Sequence, residues 1–231
     1  MTLPRPPAAV VFDMDGLLFD TEAIYEHAAL SAAVELGQDM DSAFFRSTIG
    51  VPWLATRERL VEFYGPTFAV DELRAVAGRI FNELVEADLP LKPGVVELLD
   101  LLDALGLPRA IATSSSRATA RRHLEAHRMV DRFHHVIGHD DCERHKPEPE
   151  PFLKAAGLMG VAPDLCLALE DSHMGIRAAS AAGMMTIMIP DLLPATKEIQ
   201  GLCTHVVGDL HAVRLLLETD PQRTGETSSE P

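Results

Sequence analysis

Residues 8–16 of the chain read AAVVFDMDG, and this stretch decides the expected fold. Its first half is a continuous apolar run with β-branched residues, which is typical of a strand buried on both faces of a parallel sheet. The run ends at Asp13 and Asp15, and Gly16 permits a sharp turn after them. We therefore expect a buried strand whose carboxyl end carries acidic side chains.

The sequence after this strand predicts an α/β fold with a helical insertion. Residues 22–36, 52–64 and 71–87 have a helical pattern with no strand between them. Beyond residue 90, predicted strands alternate with predicted helices: strands at 109–113, 135–137, 165–169, 185–189 and 204–207, and helices at 95–105, 118–127, 151–158, 174–182 and 210–218. Such alternation indicates βαβ units and a doubly wound, mostly parallel sheet.

The same pattern predicts the domain organisation. An α/β catalytic core takes residues 1–19 and 90–218, and an inserted helical cap domain takes residues 20–89. The expected hinges between them are residues 19–22 and 89–93. Residues 219–231 lack the apolar side chains that would offset the entropy of ordering, so we expect a disordered tail.

Composition limits the classes of partner. The chain has 231 residues and a formal net charge of −15, from 35 acidic and 20 basic residues. This charge repels nucleic acid and anionic membranes, so we expect neither as a partner. A small phosphorylated metabolite remains possible where a cation or a lysine reverses the local charge. We expect a monomer or weak oligomer.

The cysteines and the hydropathy pattern point to a cytoplasmic protein. Cys142, Cys166 and Cys203 are widely spaced and odd in number, which argues against a disulfide scaffold. No stretch approaches the roughly 20 apolar residues of a membrane span.

Four polar segments follow predicted strands or lie between them. In a doubly wound sheet the carboxyl ends of the strands lie along one edge, where ligands bind. We therefore expect these segments to converge, although they are scattered in sequence: Asp13-Met14-Asp15-Gly16, Thr113-Ser114-Ser115-Ser116, His145-Lys146-Pro147 and Glu170-Asp171-Ser172.

The acidic segments suggest phosphate chemistry with a metal ion. Asp13 and Asp15 are two residues apart, so both can face one site, where one carboxylate attacks phosphorus and the other transfers protons. With Glu170 and Asp171 the carboxylates would repel one another unless they bind a hard cation such as Mg²⁺. The alternatives are a solvated acidic loop at Asp13 and Asp15, and an acidic helix cap at Glu170 and Asp171.

The other two segments suggest phosphate binding. Thr113 and Ser114 lie between a predicted strand and a helix, where hydroxyls and free backbone N–H groups can hold phosphate oxygens. An ordinary helix N-cap is the alternative there. Lys146, placed beside the carboxylates, would neutralise both a nucleophile and an incoming phosphate, whereas alone it would be an ordinary surface lysine.

The four segments, in this order and with a helical insertion after the first, resemble the motifs of the haloacid dehalogenase superfamily. The resemblance covers about residues 10–209. Its motifs match four stretches of this chain: residues 12–16, 112–114, 146–149 and 169–172. The insertion is similar to the cap of the subfamily that holds β-phosphoglucomutases, phosphoglycolate phosphatases and pseudouridine-5′-phosphate phosphatases.

This resemblance implies a Mg²⁺-dependent phosphatase that forms a phosphoaspartyl intermediate with a small phosphate monoester. Asp13 would be the nucleophile and Asp15 the acid/base. Thr113, Ser114 and Lys146 would bind the phosphate. Metal ligands would be Asp171, Asp13 and the Asp15 backbone, with Glu170 as a ligand or as a partner of one. The cap would close over the substrate and supply specificity.

Two other functions share part of this pattern. A sugar-phosphate mutase of the β-phosphoglucomutase type is the first, but Tyr25 and Trp53 stand where the resembling mutases place a His and an Arg. A non-enzymatic, receiver-like phosphoaspartate domain is the second, and it has no use for a cap or for a leaving-group acid. A zinc site among the histidines and the cysteine of residues 134–145 is disfavoured, because no second pair has the spacing of a structural site. Tyr25 and Trp53 either pack the cap or contact substrate.

Overall fold

The computed structural model describes residues 2–49, 51 and 53–219. The described residues separate into two compact units. One unit takes residues 2–19 and 91–219, and the other takes the described part of residues 20–90. The assignment of catalytic and cap roles to these units stays a prediction. Of the expected tail, only Thr219 lies within the described residues.

The secondary structure of the described residues comprises six strands and ten α-helices. The strands are β1 Ala9–Phe12, β2 Arg109–Ala112, β3 His135–Ile137, β4 Cys166–Glu170, β5 Met185–Met188 and β6 His205–Val206. The helices are α1 Thr21–Glu35, α2 Ser42–Ser47, α3 Trp53–Tyr64, α4 Val70–Ala87, α5 Val95–Ala104, α6 Arg117–Ala126, α7 Glu150–Met159, α8 His173–Ala181, α9 Lys197–Leu202 and α10 Leu210–Glu218.

The strands form one parallel sheet in the order β3-β2-β1-β4-β5-β6. The expected α/β class with a doubly wound parallel sheet is confirmed. The order reverses at β1, which pairs with β2 on one side and β4 on the other. Ligands of such sheets bind at this reversal, beyond the carboxyl ends of the strands.

The central strand is buried because its side chains are apolar on both faces. Every residue of β1 has 0% exposure. On one face, small residues such as Ala110 and Ala168 form a cluster with Phe152 of α7, which is also fully buried. Burying such a phenylalanine contributes roughly 1.5–3 kcal/mol of transfer free energy. The strand end that carries Asp13 is therefore anchored in the best-packed part of this unit.

The helical unit consists of α1 to α4, and α1 packs against α4. The buried side of α1 is built from small residues at helical spacing, including Ala28, Ala29, Ala32 and Ala33. Polar contacts add to this packing, because Arg46 of α2 pairs with the buried Glu26 of α1 at 3.2 Å.

Two short helices were not expected from the sequence. Helix α2 begins after Asp41, whose side chain accepts a hydrogen bond from Phe44 N, and α9 begins after Thr196 in the same way. Each has six residues, too few for apolar periodicity to be visible. The other predicted elements appear with ends that differ from the prediction by at most one residue. The predicted start of the second helix at Pro52 lies outside the described residues.

Among the helices of the described residues, none has the length and apolar character needed to span a membrane.

Candidate active site

Lys146 joins two carboxylates at the carboxyl ends of neighbouring strands. Asp13 directly follows β1, and its backbone N–H donates to Leu169 O of β4. Lys146 Nζ lies 2.5 Å from Asp13 Oδ1 and 2.6 Å from Glu170 Oε1. Its side chain is only 5% exposed. The structure thus brings three predicted site residues from distant parts of the sequence into one buried ion-pair network.

Glu170 is held on its other oxygen by the start of α8. Glu170 Oε2 accepts hydrogen bonds from Ser172 N at 2.8 Å and Ser172 Oγ at 2.9 Å. Ser172 Oγ also accepts from Gly175 N and so caps the helix. A Cβ atom at Gly175 would lie 1.6 Å from Glu170 Oε1, so this position requires glycine. Both Glu170 oxygens are engaged, which makes this carboxylate a support for Lys146.

Burial and the neighbouring charges act in opposite directions on the pKa values of Asp13 and Lys146. Burial raises the pKa of Asp13 to about 8, although Lys146 acts to lower it. Burial alone would lower the pKa of Lys146, but Asp13 and Glu170 outweigh that effect and raise it above its usual range. Lys146 therefore stays charged, while Asp13 requires additional positive charge to be fully ionised near neutrality.

The same edge carries a group of carboxylates suited to a metal ion. Asp13, Glu170 and Asp171 each offer an oxygen, and these oxygens lie within 4.8 Å of one another. At Gly16, a Cβ would lie 2.4 Å from Asp171 Oδ2 and 3.2 Å from Asp191 Oδ2. Asp191 Oδ2 is buried and has no hydrogen-bond partner among the described residues. This all-oxygen donor set fits a hard dication such as Mg²⁺.

The Asp15 side chain is turned to a different set of partners. Asp15 Oδ2 accepts a hydrogen bond from Ser115 Oγ at 2.7 Å and lies 3.4 Å from Thr113 Oγ1. The backbone N–H of Ser115 donates to Thr113 Oγ1 at 3.0 Å. Ser114 is exposed and takes part in none of these contacts. The expected metal contact of Asp15 is its backbone carbonyl, and it stays a prediction.

Two contributors to the site were missed at the sequence level. Ser115 donates the hydrogen bond to Asp15, whereas the sequence pattern names only its neighbours Thr113 and Ser114 as candidate site residues. Asp191 follows β5 and forms an ion pair with Lys92 at 2.8 Å. The signal for Asp191 was its position after a predicted strand end, as for the other four segments.

The histidine-rich segment of residues 134–145 forms no metal-ligand group within the described part of the chain. Instead, the rings of His139 and His145 stack at 3.6 Å with an angle of 15° between their planes. Within this segment, residues 138–145 connect β3 to Lys146.

The helical unit contains a cavity of about 340 Å³. Aromatic side chains line much of it, and its charged lining residues are Glu22 and Arg74. The Arg74 guanidinium lies 4.6 Å from the centre of the Trp53 ring. Burial raises the pKa of the Tyr25 phenol, and the nearby Arg74 opposes this. Tyr25 and Trp53, 38% and 39% exposed, therefore line a cavity as well as pack helices.

The chain is similar in sequence to known phosphatases. The sequence model of one family, described as haloacid dehalogenase-like hydrolase, matches residues 10–189. Hexitol phosphatase B of Escherichia coli K12 is 33% identical over 198 residues, which cover 82% of this chain and 86% of that protein. A probable pseudouridine-5′-phosphatase of Drosophila melanogaster is 36% identical over 187 residues, covering 78% and 80% of the two chains.

A solved structure shares the architecture. The crystal structure of a putative β-phosphoglucomutase from Thermotoga maritima aligns with a TM-score of 0.77 and 26% sequence identity. The alignment covers 91% of this chain and 99% of that one.

Proposed function

This chain belongs to the haloacid dehalogenase-like hydrolases, and from that premise we propose that it is a Mg²⁺-dependent phosphatase of small phosphate monoesters. One observation carries the proposal: Lys146 holds the Asp13 carboxylate at 2.5 Å, at the carboxyl end of the central strand. A buried carboxylate fixed by a lysine beside further acids is the arrangement that nucleophilic attack on a phosphate requires.

In the first step, an Asp13 oxygen attacks phosphorus and the bond to the leaving oxygen breaks. Asp15 gives a proton to that oxygen, so the product is a neutral alcohol. Lys146 offsets the negative charge of Asp13 and of the transferring group, and the Thr113 hydroxyl is available to the phosphate oxygens. The result is a phosphoaspartate on Asp13.

In the second step, water attacks phosphorus of the phosphoaspartate. Asp15, now ionised, takes the proton of the water, and the bond between phosphorus and Asp13 breaks. Inorganic phosphate leaves, and both aspartates return to their starting protonation states. Glu170 does not react in this scheme, because its role is to hold Lys146.

The acidic group of Asp13 and Asp171, with the Asp15 backbone, would hold Mg²⁺. When bound, the ion supplies positive charge to Asp13 and to the phosphate oxygens. Without it, neighbouring acids would repel a phosphate dianion. The pKa of Asp13, which burial raises to about 8, is consistent with this need for a cation.

A sugar-phosphate mutase is the second candidate, and one observation favours it. A mutase must grip a second phosphate, and Trp53 cannot do so. Arg74, however, places a cation on the face of that same indole ring. Among the arginines, the sequence offers Arg57 as a substitute for the mutase residue, but Arg57 pairs with Asp71, and it is Arg74 that lines the cavity. Phosphatase remains the proposal, because Tyr25 cannot titrate near neutrality as the mutase histidine does.

The deciding experiment separates hydrolysis from isomerisation. Purified protein with Mg²⁺ is incubated with β-glucose 1-phosphate and a trace of the bisphosphate, and phosphorus NMR follows the products. A parallel panel contains hexitol phosphates, pseudouridine 5′-phosphate and small phosphorylated acids, and phosphate release is measured. We expect inorganic phosphate from at least one ester. Glucose 6-phosphate accumulating without matching inorganic phosphate would instead establish the mutase.

A further inference from the structure

Asp15 is held through one of its two carboxylate oxygens. Ser115 Oγ, at 2.7 Å, and Thr113 Oγ1, at 3.4 Å, both approach Oδ2. No donor among the described residues lies on Oδ1. The carboxylate is therefore fixed on one side and open on the other, as a group that exchanges protons with a substrate must be.

Ser115 is itself held through its backbone. Its N–H donates to Thr113 Oγ1 at 3.0 Å, and its carbonyl accepts from His139 N at 2.8 Å. Thr113, 3% exposed, is in turn tied to β3 through a hydrogen bond from its N–H to Ile137 O. The Ser115 backbone is thus held by residues that follow β2 and β3, which limits the directions that its hydroxyl can take.

The Ser115 side chain is not needed to start the following helix. Ser116 is the N-cap of α6, and its side chain accepts a hydrogen bond from Thr119 N at 3.1 Å. The Ser115 hydroxyl donates to Asp15, which lies 100 positions earlier in the chain. A capping role therefore explains Ser116 but leaves the Ser115 side chain unexplained.

We propose that Ser115 is a positioning residue, which fixes Asp15 Oδ2 so that Oδ1 faces the leaving oxygen of the substrate. The inference rests on the proposed function, since it requires Asp15 to protonate that oxygen. Thr113 is the weaker partner, because its hydroxyl donates to Asp15 Oδ2 over 3.4 Å, whereas the Ser115 hydroxyl donates over 2.7 Å. Loss of the Ser115 hydroxyl should therefore impair proton transfer while leaving attack by Asp13 intact.

The test compares two esters that differ in their need for an acid. The leaving group of p-nitrophenyl phosphate departs without a proton, whereas an alkyl phosphate requires one. The alkyl ester is the one that the substrate panel shows to be hydrolysed fastest. For Ser115→Ala we expect kcat/KM, which covers departure of the leaving group but not the later hydrolysis of the phosphoaspartate, to fall about 10- to 100-fold on the alkyl ester and less than about 3-fold on the aryl ester. Ser115→Thr, which keeps the hydroxyl, should restore most of the loss.

Ser116→Ala is the matched control, because it removes a neighbouring hydroxyl that only caps the helix. It should leave the ratio of the two kcat/KM values unchanged. The ratio is measured on one preparation, so it does not depend on the fraction of protein that is folded. Equal losses on both esters, or no loss on either, would overturn the proposal for Ser115. Failure of the unaltered protein to hydrolyse either ester would overturn the proposed function itself.

Discussion

The α/β unit and the helical unit use charge in opposite ways. At the carboxyl end of β1, Lys146 is buried and paired with two carboxylates at 2.5 and 2.6 Å. In the helical unit, Arg74 is exposed, has no ion-pair partner within the described residues and lies on the ring of Trp53 beside a cavity. The charged groups at the end of β1 are buried and paired with one another, whereas the Arg74 guanidinium is exposed beside a cavity.

Under the proposed function, we expect this difference to separate chemistry from selectivity. A buried ion pair tolerates little change, because removal of one partner leaves the other charge without compensation. An open cavity with an exposed cation tolerates many substitutions, and each changes which ligand fits. Substitutions in the Lys146 ion-pair network should therefore abolish turnover, and those of charged residues at the cavity of the helical unit should change the preference among substrates.

The largest effect is expected from a substitution of Asp13, in the buried ion-pair network of Lys146. Asp13→Asn replaces the nucleophile with an amide of similar shape, so kcat should fall by at least about 10³-fold. The measurement is phosphate release under saturating substrate. Circular dichroism should show an unchanged fold. Retention of more than about 10% of kcat, in an assay free of contaminating phosphatase, would remove Asp13 from this role.

Metal dependence gives the next largest effect. Excess EDTA should abolish activity, and added Mg²⁺ should restore it. Asp171→Ala should raise the Mg²⁺ concentration for half-maximal activity by about 10- to 100-fold. Asp164→Ala is the control, because Asp164 is an exposed acid paired with Arg5 away from the metal group. An unchanged metal titration in the Asp171 variant would limit that residue to a structural role.

Removal of the cation in the helical unit should have a moderate and selective effect. Arg74→Gln takes away the charge over Trp53, so kcat/KM should fall about 10-fold for substrates with a second anionic group. Hydrolysis of p-nitrophenyl phosphate should change little. Arg79→Gln on the same helix is the control, since Arg79 is paired with Glu35 and Glu83. A uniform loss across all substrates would contradict a role in selectivity.

The smallest expected effects are changes in stability when one glycine of each unit is replaced by alanine. In Gly175→Ala the new methyl would meet Glu170 Oε1, so the protein should lose about 1–3 kcal/mol of stability. Gly78 of α4 has no atom within 4 Å of its missing Cβ, so Gly78→Ala should stabilise by about 0.4–1 kcal/mol. Thermal unfolding should show shifts of about 2–4 °C per kcal/mol in opposite directions. Similar shifts in both variants would contradict the difference in packing between the units.

The sequence predicts the chemistry of the α/β unit because apolar runs in the sequence show where its strands end. Asp13 follows an apolar run that had to be a buried strand, and the same reasoning located Thr113 and Glu170. Parallel strands then bring these residues together without further information. The helices followed from apolar periodicity and from capping residues, except for the six-residue α2 and α9.

The contacts that the sequence does not reveal are those between side chains far apart in the chain. Ser115 acquires its partner only when β2 lies beside β1, and nothing in a run of serines distinguishes it from Ser114. Arg74 meets Trp53 only through the packing of α3 and α4, and helical spacing does not specify which residues of two helices touch. Selectivity therefore depends on the part of the structure that sequence patterns describe least.

The backbone at the base of the insertion has a consequence for the construction of new enzymes. Phe19 and Leu91 form an antiparallel bridge, and Lys92 N donates to Leu18 O at 2.9 Å. Asp20 N donates to Pro90 O at the same distance. The chain therefore leaves and re-enters the α/β unit through a paired two-stranded stem. Because the ends are already together, exchange of everything between them for a different helical insertion, or for a short turn, adds little loop-closure entropy. Under the proposed function, selectivity would thus be a removable module, and the strands of the α/β unit would keep the stem.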